Sequence, residues 1–186
     1  MILNKNTRIM IMGCGGMLGK AVYDKFSNAC CVLASDIDVN EKWLEYVDVR
    51  DLKSILDVAK NFNPHLIMNL AALTDLEYCE TNCENAWLTN GLGQENSCLV
   101  AKLLNIPIVY ISTAGIFDGE KEEYNDFDKP EPLSVYGKSK YYGETITKSF
   151  GIEHFIFRAG WMMGGGVIKD KKFINKMFKQ IKEGKK

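Results

Sequence analysis

The chain reads as an α/β protein, a doubly wound parallel sheet with helices on both faces. Two observations carry that reading. Short apolar runs alternate with stretches of helical period along nearly the whole sequence. The first such run ends in a glycine cluster that opens the first helical stretch. Strands that alternate with helices need crossover connections, which parallel sheets use and hairpins do not.

The elements follow in order. Arg8–Met12 is the first strand, and Met17–Phe26 is a helix with Leu18, Val22 and Phe26 on one face. Cys30–Ala34 is the second strand, ending at Ser35-Asp36. Asp51–Phe62 repeats Leu52, Ile55, Leu56 and Ala59 at helical period, Asn63-Pro64 stops it, and His65–Leu70 is again a strand. Glu84–Leu104 reads as one long helix, Pro107–Ile111 as a strand, Val135–Phe150 as a helix and Ile152–Phe157 as the last strand. The acidic, Pro-containing stretch Phe117–Leu133 lacks periodicity and is a surface loop.

Composition narrows the class. With 186 residues, 46% of them hydrophobic and 25% charged, the chain suits one globular domain rather than a disordered tail, a collagen-like repeat or a membrane bundle. A net charge of -1 gives no global reason to expect nucleic acid or a membrane surface as partner. The N-terminus reads as a first strand, not a signal peptide, and no apolar run has the roughly 20 residues of a membrane span. Six irregularly spaced cysteines read as free thiols of a reducing cytoplasm. Cys79 and Cys83, at i and i+4, could share a helix face, but with only His65 and His154 elsewhere no metal site is expected.

The last segment, 169–186, has eight lysines against Asp170 and Glu183, with Phe173, Ile174, Met177, Phe178 and Ile181 in one helical stripe. It reads as a solvated amphipathic helix covering the domain, the alternative being a basic face that meets a diphosphate. The expected organisation is therefore a dinucleotide-binding domain over 1–168 followed by this basic helix over 169–186.

Gly13, Gly16 and Gly19 make a G-x-x-G-x-x-G loop between the first strand and helix, the Rossmann-type position for a phosphate cradle. Glycine there permits a tight turn, close approach of backbone to a pyrophosphate, and helix-on-strand packing, while the helix N-terminus favours the anion. Asp36, at the end of the second strand, is placed to accept hydrogen bonds from adenosine ribose hydroxyls. Its carboxylate would repel a 2′-phosphate and no Arg follows closely, so NAD(H) is favoured over NADP(H); a plain strand-end turn residue is the alternative.

Tyr136 and Lys140 lie at i and i+4 at the start of a helix, on one face. A tyrosine titrates near 10, so bringing it to neutrality takes about three units, roughly 4 kcal/mol, part of which a nearby ammonium can supply. The preceding strand delivers Ser112-Thr113 at its C-terminal end, where a hydroxyl can hydrogen-bond a reacting carbonyl.

Taken together, Gly13–Gly19, Asn69–Thr74, Ile111–Gly119, Tyr136–Lys140 with Gly143-Glu144, and Phe157–Trp161 resemble the extended short-chain dehydrogenase/reductases. Within that superfamily the chain looks most like the dTDP-4-dehydrorhamnose reductases. The resemblance implies that Gly16, Met17 and Leu18 meet the cofactor pyrophosphate, Asp36 the adenosine ribose, and Asp48 and Val49 the adenine, with Ala71 and Ala72 lining the cofactor channel. It implies that Thr113 hydrogen-bonds the sugar carbonyl, Tyr136 donates the proton, Lys140 holds the nicotinamide ribose, and Ala114 and Trp161 meet the sugar nucleotide. NADH or NADPH would reduce the C4 keto group of a nucleotide-linked 4-keto-6-deoxy sugar, with a homodimer possible. The family usually reads Ser-Thr-Asp-Tyr-Val-Phe where this chain has Ser112–Phe117 without the Asp and Tyr, which implies a different contact to the sugar. Family members also continue past this point, so the substrate domain is expected to be largely absent from the chain. Other functions on the same scaffold are a sugar-nucleotide epimerase or dehydratase, and a non-catalytic dinucleotide-binding subunit such as the regulatory partner of methionine adenosyltransferase.

Overall fold

A computed structural model describes residues 3–165 and 173–184. Six strands form one parallel sheet: β1 (Arg8–Met12), β2 (Cys31–Asp36), β3 (Leu44–Tyr46), β4 (Leu66–Asn69), β5 (Ile108–Thr113) and β6 (His154–Ala159). Their order across the sheet is β3-β2-β1-β4-β5-β6, so the connection reverses direction between β1 and β4. Ligands of open parallel sheets bind at the C-terminal ends of strands beside such a switch. The Rossmann-type architecture read from the sequence is the observed one.

Helices α1 (Met17–Ser27), α2 (Leu52–Phe62), α3 (Leu76–Thr81), α4 (Cys83–Ala86), α5 (Gly93–Leu104), α6 (Val135–Ser149) and α7 (Phe173–Lys182) complete the fold. On one sheet face, Met10, Met12, Ile67 and Ile108 pack with Ile55 and Ala59 of α2 and Cys98, Val100 and Ala101 of α5. On the other, Ile9, Ile11, Ala34 and Met68 meet Val22, Tyr23 and Phe26 of α1. Continuous burial along β1 and β4 explains why they read as apolar runs without alternation.

Four expectations change. The long helix over Glu84–Leu104 is split: Trp87–Leu92 is a π-helical segment between α4 and α5, and it brings Asn90 and Gly91 into the interior. Cys79 and Cys83 share no helix face, because Asn82 breaks the helix at φ −127°, ψ 55°; Cys79 is buried and Cys83 exposed. α3 and β3 come as additions to the elements read from the sequence. In α7, Met177, Phe178 and Ile181 are 38%, 50% and 69% exposed, so these side chains do not cover the domain; the period forms the helix, but no sheet surface receives its stripe among the described residues. The side chains of Phe173 and Ile174, and the expected boundary at 168/169, lie outside the described residues. No helix among the described residues is long and apolar enough to cross a membrane.

Candidate active site

The glycine loop closes onto the sheet through its backbone. The N–H groups of Gly13 and Cys14 both donate to the Ser35 carbonyl of β2 at 2.9 Å. Gly13 has φ +83°, and a Cβ there would overlap the backbone of Leu70 and Ala71. A side chain at this position is therefore excluded twice, by conformation and by space. Gly19 serves the packing of α1 instead. A Cβ there would overlap Gly13 and Cys14, so only glycine lets the helix settle under the loop.

Gly16 caps α1 without a side-chain hydrogen bond, and no acidic residue occupies the first turn. No carboxylate of the helix's own first turn therefore competes for its first N–H groups, which favours an anion there. Asp36 accepts the Gly15 N–H at 2.8 Å and the Asp38 N–H at 3.1 Å, which fixes its carboxylate at the loop.

A cleft of about 910 Å³ runs along this switch point. Its walls include Gly13, Gly16, Met17, Asp36, Asp48, Val49, Ala71 and Ala72, so eight of the expected dinucleotide contacts come together. Leu18 and Gly19 follow Met17 in the first turn of α1 and are not part of the wall. The cleft also contains residues that sequence reasoning missed, among them Ile37, Arg50, Tyr78, Asn85 and Thr89. Arg50 stands in the same cleft as Asp36, although no Arg follows Asp36 closely in sequence; β3 pairs with β2 and brings it there. Its guanidinium grips Asp48, donating from Nε and Nη2 at 2.9 and 2.7 Å, and holds that carboxyl below its ordinary pKa. The adjacent spacing Asp48-x-Arg50 was the available signal.

Thr113 and Tyr136 share a side-chain hydrogen bond at the C-terminal end of β5, outside that wall, and Lys140 follows one turn later in α6. Ser134 caps α6, its side chain accepting from the Gly137 N–H at 3.0 Å, and so starts the helix just before Tyr136. Glu80 of α3 accepts the Val135 N–H at 2.7 Å and tethers the same helix start. Tyr136 is half-buried beside Thr113; burial pushes its phenol pKa up, and the Thr113 side chain acts against that. The expected lowering of Tyr136 by Lys140 is not what this geometry gives. Lys140 is 2% exposed and turns its ammonium to the Tyr110 ring, with Nζ 4.2 Å from the centroid. Burial brings its pKa down to about 7, against the pull of Glu144.

A second hollow, of about 310 Å³, lies beyond Thr113 and is lined by Ala114, Phe117, Tyr124, Asp126 and Arg158. Phe117 and Tyr124 stack at 4.4 Å, which folds the aperiodic loop back on itself. Ala114 opens the short turn after β5, whereas Trp161 is 84% exposed and belongs to neither wall.

The RmlD substrate binding domain family matches residues 7–186. The chain belongs to this family. The crystal structure of dTDP-4-dehydrorhamnose reductase from Bacillus anthracis in complex with NADP superposes with a TM-score of 0.85 at 28% identity, covering 96% of this chain and 60% of that one. The spore coat polysaccharide biosynthesis protein SpsK of Bacillus subtilis is 27% identical over 161 residues, 86% of this chain and 55% of that protein. Methionine adenosyltransferase 2 subunit beta of Xenopus tropicalis is 33% identical over 138 residues, 74% of this chain and 41% of that protein. The chain thus spans about half the length of the curated relatives it matches.

Proposed function

We propose that this chain is the dinucleotide-binding and proton-donating part of a reductase acting on the C4 keto group of a nucleotide-linked 4-keto-6-deoxy sugar. The observation that carries the reading is the pairing of Tyr136 with Thr113 at the end of β5, one turn before Lys140 in α6 and beside the glycine-loop cleft. The cleft residues fit a nicotinamide dinucleotide. Gly13 lets the loop close against Leu70 and Ala71, Gly16 leaves room for a pyrophosphate at the α1 N-terminus, Asp36 suits the adenosine ribose, and Asp48 and Val49 suit the adenine. Ala71 and Ala72 would flank the nicotinamide half.

When bound, such a cofactor supplies the hydride that reduces C4. Tyr136 then gives its proton to the carbonyl oxygen, and the raised phenol pKa keeps that proton in place at neutral pH. Thr113 orients the same oxygen by hydrogen bonding, and Lys140 would hold the nicotinamide ribose. Ala114 and Trp161 are the chain's own substrate-side contacts.

Asp36 disfavours a 2′-phosphate, and Arg50 is already engaged by Asp48, so NAD(H) is the favoured cofactor. The Bacillus anthracis reductase was solved with NADP, so both forms enter the test. Reduced nicotinamide absorbance is followed after adding a dTDP-4-keto-6-deoxy sugar, with Tyr136→Phe as control. Loss of absorbance that vanishes in the variant supports the reading; binding of the dinucleotide without oxidation overturns it.

A second reading is a non-catalytic dinucleotide-binding subunit, favoured by the 33% identity to methionine adenosyltransferase 2 subunit beta. An epimerase remains a further alternative on the same scaffold, while a dehydratase is less well supported, because Ala114-Gly115 offers no carboxylate beside Tyr136.

A further inference from the structure

Tyr110 is the least exposed large aromatic side chain of the described residues, at 1%, and sits at the centre of β5 between β4 and β6. Its ring face lies under the Lys140 ammonium at 4.2 Å from Nζ to the centroid. Its hydroxyl reaches the carbonyls of Lys140 at 3.3 Å and Asn90 at 3.5 Å. Gly143 supplies the notch for that hydroxyl, since a Cβ there would overlap the phenol oxygen and Cζ. The ring is therefore held on both sides and cannot turn away from the lysine.

We propose that Tyr110 is a positioning residue for Lys140: its ring face fixes where the buried ammonium sits and holds it charged. A buried ammonium loses its hydration, and an aromatic face within about 6 Å returns part of that stabilisation to the charged form. The other groups near Lys140 do not do the same work. Glu144, one turn on, pulls the charge on Lys140 upward, but its two oxygens are committed to Arg158 at 3.0 and 2.9 Å, with Lys148 at 3.5 Å. From α5 come the Cys98 thiol, pushed up to about 11 by burial, and Glu95, which is engaged by the Tyr142 hydroxyl at 3.2 Å, while the π-helical segment Trp87–Leu92 carries no titratable group. Tyr136 and Cys79 are neutral near pH 7, both being pushed up by burial. The consequence for turnover rests on the proposed reductase reading; the electrostatic claim does not.

The test is therefore a titration of Lys140 itself in the whole chain. Lysine Cε resonances are followed by carbon-13 NMR, with Lys140 assigned from a Lys140→Arg variant. Tyr110→Phe keeps the ring and removes the hydroxyl. Tyr110→Leu removes the ring. Pentafluorophenylalanine at 110 keeps the shape and inverts the quadrupole, so it addresses the same question if the leucine variant does not fold. The expected result is an unchanged Lys140 pKa with phenylalanine and a fall of about one unit with the leucine or fluorinated ring. No fall in either ring variant overturns the proposal, and so does an equal fall in Tyr110→Phe, which would assign the effect to the hydroxyl. If substrate turnover is observed, its pH profile should move with the same variants; absence of turnover bears on the reductase reading and leaves the titration standing.

Discussion

Arg158 donates from Nε and Nη2 to the two carboxylate oxygens of Glu144 at 3.0 and 2.9 Å, tying the helix that carries Tyr136 and Lys140 to the edge strand β6. The Glu144 side chain is fully buried and that of Arg158 is 15% exposed. Burial pushes the carboxyl pKa up, but the hydrogen bonds of Arg158, then the Ser112 side chain, the Arg158 charge and Lys148, bring it below the ordinary carboxylate value. Removing the arginine leaves an uncompensated buried charge. Arg158→Met is expected to lose about 3–5 kcal/mol in urea denaturation, and Glu144→Gln with Arg158→Met to recover part of it. A loss below about 1 kcal/mol would mean the pair behaves like an exposed ion pair. Because the folded pKa of Glu144 is depressed, its contribution is present above the unfolded carboxylate value and disappears as pH falls through the lower folded one.

Lys140 should produce a slope of the same sign in a higher pH window. Its folded pKa of about 7 lies below that of the unfolded lysine, so the unfolded chain binds the extra proton between those values. Stability attributable to this group therefore rises from about pH 7 to about pH 10. Subtracting the pH profile of Lys140→Met from that of the parent isolates the effect, because other titrating thiols and phenols contribute to both. A flat difference profile would refute the buried-ammonium assignment.

Gly13→Ala tests the cradle. The positive φ and the overlap with Ala71 require the loop to shift, costing at least about 1–3 kcal/mol of stability. Dinucleotide binding, read by isothermal calorimetry, should be abolished. Gly119→Ala, also at positive φ but with open space around it, should leave binding unchanged.

How far the sequence carried the reading depended on what each element needs from its neighbours. Strands β1 and β4 and helix α2 are each signalled locally, by apolar runs, an Asp51 cap and an Asn63 stop, and they occur where the pattern puts them. β3 is three residues long and exposed at two of them, so it carries no alternation; its pairing with β2 creates it. α3 is signalled only by Asp75, whose side chain accepts the Tyr78 N–H, in a six-residue helix too short to display a period. The glycine loop, Asp36 and the Tyr136–Lys140 pair were legible because each has a fixed spacing. Tyr110 was not, since what matters about it is the Lys140 ammonium that α6 brings over its ring, and Arg50 was not, since only the fold brings it into one cleft with Asp36.

Tyr136→Phe is the sharpest test of the chemistry. It removes the acidic proton and leaves the ring, so dinucleotide affinity should be unchanged within error. Turnover should fall by about 10²–10⁴, the usual contribution of a positioned general acid. Thr113→Val should fall less, because it removes one hydrogen bond to the reacting oxygen and leaves the donor in place. Steady-state rates with NADH and NADPH in parallel measure both. A Tyr136→Phe protein that retains full turnover would transfer the proton-donor role to another group, or to water.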